Sequence, residues 1–224
     1  MITRPPPETL RAPERRGSVV LISEVLGVDE ALRGYAAKMV AQGYDVVMPD
    51  LWWRTGPPDF SGEGAVQRAV ERIVDAEAMS DVRAALETLE APRFLMGFCL
   101  GGLYARMGAC TLPRLAGTVE FYGRVVYPGT TPAKPVQPLD FLPGLGCPLQ
   151  CHFGDLDTVA PPRHVDLLEE RLAGRRFAAQ VFRYAGCGHA FMNPSRAAYR
   201  PVPAELAWSR GVKFLGELSA PSGL

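Results

Sequence analysis

The sequence predicts an α/β fold in which a mostly parallel central sheet carries helices on both faces, within a single domain over residues 1–224. Two observations carry this expectation. Short runs rich in β-branched residues alternate along the chain with segments of helical spacing, and the runs are nearly continuous in apolar character, as strands covered on both faces must be. A chain of 224 residues can also bury one substantial core without dividing.

Residues 18–23 (SVVLIS) read as the first buried strand. Asp29 is placed to cap a helix in which Leu32, Tyr35, Ala36, Met39 and Val40 share a face, and Gly43 stops it. Residues 44–48 form the next buried strand, closed by Pro49-Asp50. After a loop rich in Gly and Pro over 55–64, Val66, Val70, Ile73, Val74, Val82, Leu86 and Leu89 give a long helical pattern in two pieces. Residues 94–96 are a strand, followed by a helix from Leu100 to about Cys110. Strands at 118–122 and 149–153 flank a proline-rich stretch, 128–148, read as a surface excursion within the domain. Val165, Leu168 and Leu172 mark a helix, 179–184 a strand, and 204–218 a last helix. Residues 1–16, with three consecutive prolines, read as a loosely packed N-terminal segment.

Twenty-four basic residues balance twenty-four acidic ones, so the net charge is zero. Counterion-driven binding to nucleic acid or anionic membrane needs a basic surface that this chain lacks. No stretch approaches the ~20 apolar residues of a membrane helix, and the N-terminus has no apolar core of signal-peptide length, which points to the cytoplasm. Five cysteines, an odd number, fit reduced thiols better than a disulfide framework. The cluster Cys147, Cys151, His152 has no standard zinc spacing, and no metal or other cofactor is expected. The elbow glycines described next do not form a dinucleotide fingerprint.

Residues 96–102 (MGFCLGG) join a buried strand to a helix and place glycines two before and two after Cys99. This is the G-x-S-x-G elbow with cysteine as nucleophile: small neighbours tolerate a sharp turn, and the helix N-terminus stabilises a thiolate. Of the three histidines, His189 lies on a glycine-flanked loop after the strand at 179–184, whereas His152 falls within a strand and His164 at a helix start. The loop after the preceding strand, 154–161 (GDLDTVAP), offers Asp155 and Asp157 as the acid that orients the base. The chain order nucleophile, acid, base is that of the α/β-hydrolase fold, and spacing leaves the two aspartates equal.

With Glu24 to Val28 (EVLGV), Gln42-Gly43-Tyr44, Pro49-Asp50-Leu51, the elbow, Phe121-Tyr122-Gly123, the acid loop and Gly188-His189-Ala190-Phe191, the chain resembles the dienelactone hydrolase family from about 18 to 218. The resemblance implies an α/β-hydrolase fold without a large cap domain. It also implies Asp157 as the acid, the backbone N–H groups of Val25 and Leu100 as the oxyanion hole, and Glu24 as a carboxylate that controls ionisation of the cysteine. Relatives that act on dienelactone itself carry an arginine four residues after the histidine, and here that position is Asn193. A neutral amide does not replace a bidentate guanidinium, so recognition of a small carboxylated lactone is expected to differ. Trp52, Trp53, Arg68 and Tyr122 are further candidates for the substrate pocket, Arg68 by proximity alone.

The resulting expectation is a cysteine-dependent hydrolase of small esters or lactones, a monomer or small homo-oligomer whose partner is its small-molecule substrate. A ligand-binding protein on the same scaffold, a thiol acyltransferase and a carbon–halogen hydrolase are the rival readings.

Overall fold

In a computed structural model, which describes residues 3–219, seven strands form one sheet in the order β1-β3-β2-β4-β5-β6-β7. The strands are β1 (Glu8–Leu10), β2 (Gly17–Ile22), β3 (Tyr44–Met48), β4 (Arg93–Phe98), β5 (Gly117–Phe121), β6 (Leu149–Gly154) and β7 (Ala179–Tyr184). From β3 across to β7 every pairing is parallel, and β1 alone runs antiparallel, against β3. The helices are α1 (Glu30–Ala41), α2 (Ala65–Arg72), α3 (Asp75–Glu87), α4 (Leu100–Thr111), α5 (Pro162–Leu172) and α6 (Pro201–Ser219), with a 3-10 helix at Pro138–Gly144. Among the described residues no large cap is inserted over the strand ends.

The continuous apolar runs are explained by the two covers. Along β2, Val19 and Leu21 join a core with α1 and α6, while Val20 and Ile22 join a second core with α3 and α4. Strand β4 divides in the same way, Phe94, Met96 and Phe98 facing one core and Leu95 the other. Asp29 caps α1 by accepting from the Leu32 N–H at 2.9 Å. The long helical pattern divides at Ile73-Val74 into α2 and α3.

Two expectations are corrected. The N-terminal segment is not loose along its described length: Glu8, Thr9 and Leu10 pair with Met48, Val47 and Val46. Asp45 accepts from the Ala12 N–H at 2.9 Å and from Arg11 at 2.7 Å, and Arg4 pairs with Asp81 at 2.8 Å. A three-residue edge strand beside prolines has no pattern long enough to read, and its pairing partner lies almost forty positions away in the chain. The stretch 128–148 is also not wholly superficial. Leu139, Leu142, Leu145 and Cys147 are buried in a third core with α5 and β6.

Candidate active site

The turn between β4 and α4 is as tight as the sequence requires. Cys99 adopts φ 52° and ψ −111°, a conformation that costs a non-glycine residue of order 1–3 kcal/mol and is held by its surroundings. A side chain at 97 would place its Cβ 2.1 Å from the Gly101 carbonyl oxygen, and one at 101 would lie 2.2 Å from that of Ile22. Backbone cannot yield at such distances, so both positions require glycine. The turn lifts the Cys99 sulfur, partly exposed, to the C-terminal end of the sheet.

Three loops at that end bring the partners together. His189 Nε2 lies 3.0 Å from Cys99 Sγ, and His189 Nδ1 lies 2.8 Å from Asp157 Oδ2. The other carboxylate oxygen, Asp157 Oδ1, accepts from the N–H groups of Val159 at 2.7 Å and Ala160 at 2.9 Å, which fixes the acid in the interior. Asp155 turns away to accept from the Gly186 N–H at 2.8 Å, so Asp157 is the aspartate of the loop that meets the imidazole. Burial alone would push the His189 imidazole down. The electrostatic influence of the adjacent Cys99 and the hydrogen bonds to Asp157 and Cys99 outweigh it and raise His189 to about 10. The N–H groups of Val25 and Leu100 donate no hydrogen bond among the described residues.

Glu24 is buried beside this line, and its two oxygens are occupied by side chains. Oε1 accepts from the Tyr122 hydroxyl at 2.8 Å and Oε2 from Asn193 Nδ2 at 2.9 Å, with Arg196 Nε 4.0 Å away. Burial raises the Glu24 pKa, and the bonds from Asn193 and Tyr122 partly offset it.

The sulfur opens into a cleft of about 550 Å³ walled by α2, the start of α4 and the loops after β5 and β7. Of the pocket residues expected from sequence, Glu24, Val25, Cys99, Leu100 and His189 line it. Four others do not. Tyr122 and Asn193 lie beneath it, spent on Glu24. Arg68 is exposed and donates to the Glu63 carbonyl at 2.7 Å. Trp52 and Trp53 face a separate cavity of about 660 Å³ on the other side of the Glu24–Val28 loop, which contains none of Cys99, Asp157 and His189. The Trp52 indole N–H donates to the Val25 carbonyl at 2.9 Å, and Trp53 lies under the Arg54 guanidinium at 4.3 Å while donating to Asp81 at 3.2 Å. An indole N–H buried by tertiary packing takes whichever acceptor is near, which local sequence does not reveal.

Sequence reasoning missed two cations of the cleft, Arg124 and Arg196. A signal was present for each. Arg124 follows Phe121-Tyr122-Gly123 at the C-terminal end of β5, where ligands of open α/β sheets bind, and Arg196 stands seven residues after His189 in the same loop.

The model of the dienelactone hydrolase family matches residues 8–219. The chain belongs to the dienelactone hydrolase family. It is therefore a hydrolase of the ester and lactone class. A Bradyrhizobium protein described as a probable 2-oxo-3-(5-oxofuran-2-ylidene)propanoate lactonase is 31% identical over 208 residues, covering 90% of this chain and 84% of its own. A carboxymethylenebutenolidase of Rhodococcus opacus is 30% identical, with 88% and 79% covered. Among solved structures, a Klebsiella pneumoniae chain described as a "putative dienelactone hydrolase" superposes with a TM-score of 0.86 at 24% identity over 92% of this chain and 89% of that one. That likeness shows the shared fold. No helix among the described residues is long and apolar enough to cross a membrane.

Proposed function

We propose that the chain hydrolyses small esters or lactones with Cys99 as nucleophile, His189 as proton carrier and Asp157 as its orienter. The observation that supports this best is the unbroken Asp157–His189–Cys99 hydrogen-bonded line, set at a strained strand-to-helix turn and opening into the cleft. The Cys99 thiolate attacks the carbonyl carbon, a C–S bond forms, and the carbonyl electron pair moves to oxygen, which the free N–H groups of Val25 and Leu100 receive. As the intermediate collapses the C–O bond breaks, and the leaving oxygen takes a proton from His189 Nε2. His189 then accepts a proton from water that attacks the thioester, and the acid departs as the thiolate returns.

Held by Tyr122 and Asn193, Glu24 acts on the nucleophile through its charge, not by accepting a hydrogen bond from the thiol. An anionic substituent on the substrate meets Arg124 and Arg196, while Asn193 serves Glu24 beneath the cleft. The five free cysteines suit a reducing cytoplasm, where the protein works as a monomer or small homo-oligomer.

Acid quenching during turnover of an ester with a slowly hydrolysed acyl group tests the pathway. The peptide carrying Cys99 should gain the acyl mass; steady turnover with no adduct at any time point would overturn it. The pH profile gives a second test. A group raised from its ordinary 6.5 to about 10 holds its proton across neutral pH and loses it as pH passes that value. Donation to a poor leaving group should therefore persist through pH 8, with an alkaline limb near 10. Asp157→Asn removes one contribution that raises His189, so its limb should move to lower pH; a wild-type limb near 7 would contradict the assignment.

A further inference from the structure

Helix α2 buries Ala65 and Ala69 and turns the opposite side toward the cleft, where Val66, Gln67 and Val70 line the wall. Val66 is 45% exposed although it lies in the same cleft as the Cys99 sulfur, and Leu103 and Val159 add apolar surface around the same space. Apolar area left open beside a reacting atom is area that a bound substrate can cover.

The two ends of α2 are held very differently. Its N-terminus follows Gly62 and Gly64, both left-handed at φ 81° and 70°, and has no side-chain cap. Its C-terminal end is clamped: Lys134 Nζ donates to the Ile73 carbonyl at 3.0 Å and to Asp75 at 3.1 Å. Asp75 also accepts from the hydroxyls of Tyr104 and Tyr127, each at 2.9 Å, and its own N–H donates to the Ala133 carbonyl at 2.9 Å. Tyr127 is itself part of the cleft wall. Lys134 and Asp75 are both buried, and such a pair pays heavily in desolvation, so stability is a poor reason for it. What it does is tie the C-terminal end of α2, through Asp75, to Tyr127 and to Tyr104 on α4, the helix that starts next to Cys99.

We propose that the valine face of α2 is an apolar subsite for the acyl chain of the substrate, and that Lys134 is the positioning residue that sets this face against Cys99. The proposal rests on the esterase reading above, and its test separates the two. With p-nitrophenyl esters from acetate to hexanoate, kcat/KM should rise by about two- to fourfold per methylene, as expected for burial of each CH₂. Val66→Ser and Lys134→Met should flatten that slope, mainly through KM, and Lys134→Arg should retain most of it. In parallel, N-alkyl iodoacetamides from methyl to hexyl read the same subsite through Cys99 alkylation without any turnover. A steep alkylation series in a protein that hydrolyses no ester would keep the subsite and defeat the esterase reading. A flat series by both routes in the wild type overturns the subsite. A steep wild-type slope left intact by Lys134→Met overturns the role of Lys134; Val66→Ser, which changes an exposed residue, tests the subsite even if Lys134→Met fails to fold.

Discussion

Replacing Cys99 with alanine is expected to lower kcat/KM for small esters by about 10⁴-fold or more, because the residual rate comes only from binding and oxyanion stabilisation. The geometry makes the loss specific to chemistry. Cys99 takes its backbone conformation from Gly97, Gly101 and the bond from its N–H to the Phe121 carbonyl at 2.9 Å, none of which involves the sulfur. The alanine variant should therefore keep its fold and its affinity for a product acid while losing turnover. On the proposed pathway the three residues act as a unit, so Cys99→Ala combined with His189→Ala should be little worse than Cys99→Ala alone. Cys99→Ser should fall between wild type and Cys99→Ala, since a hydroxyl keeps an oxygen nucleophile beside His189 but is a weaker one than a thiol. Steady-state kinetics beside a thermal melt decide the matter: an alanine variant that retains more than about 1% of wild-type kcat/KM would remove Cys99 from the reaction.

How much of this was legible without coordinates follows from which constraints are local. Strands β2 and β3 announce themselves because burial on both faces leaves short, largely apolar runs, and the helical pattern of α2 and α3 reads as two pieces, although only the structure places the break at Ile73-Val74. The elbow is legible because its requirements, glycine at 97 and at 101, lie within a few residues of Cys99. What escaped depends on contacts between distant segments. Strand β1 is defined by its register with β3 and not by its own three residues. The duties of Tyr122 and Asn193 come from Glu24, 98 and 169 positions away. Trp52, read as a pocket wall, instead donates to the carbonyl of Val25 from a separate cavity. The charge of the cleft escapes the sequence for the same reason: position 193 lacks an arginine, but Arg124 and Arg196 arrive from two different loops.

Glu120→Ala should destabilise the fold by about 3–5 kcal/mol, the cost of leaving a buried charge without its partner. Arg106 on α4 and Glu120 on β5 are almost wholly inaccessible, and the guanidinium donates to both carboxylate oxygens and to the Arg124 carbonyl. With a typical net stability of about 5–15 kcal/mol, a loss of that size removes a large fraction of the reserve and should appear as a clear drop in the urea midpoint. The double replacement Arg106→Met with Glu120→Leu should recover most of the stability, because apolar residues of similar volume avoid the desolvation that the pair incurs. It cannot recover the bond to the Arg124 carbonyl. The loop that carries Arg124 into the cleft then loses its anchor, so the double variant should fold well and yet bind anionic substrates more weakly, with KM rising more than kcat falls. Equal urea midpoints for wild type and Glu120→Ala would show that water or a rearrangement reaches Arg106. A stable double variant with unchanged KM for an anionic ester would show that Arg124 is held by other contacts.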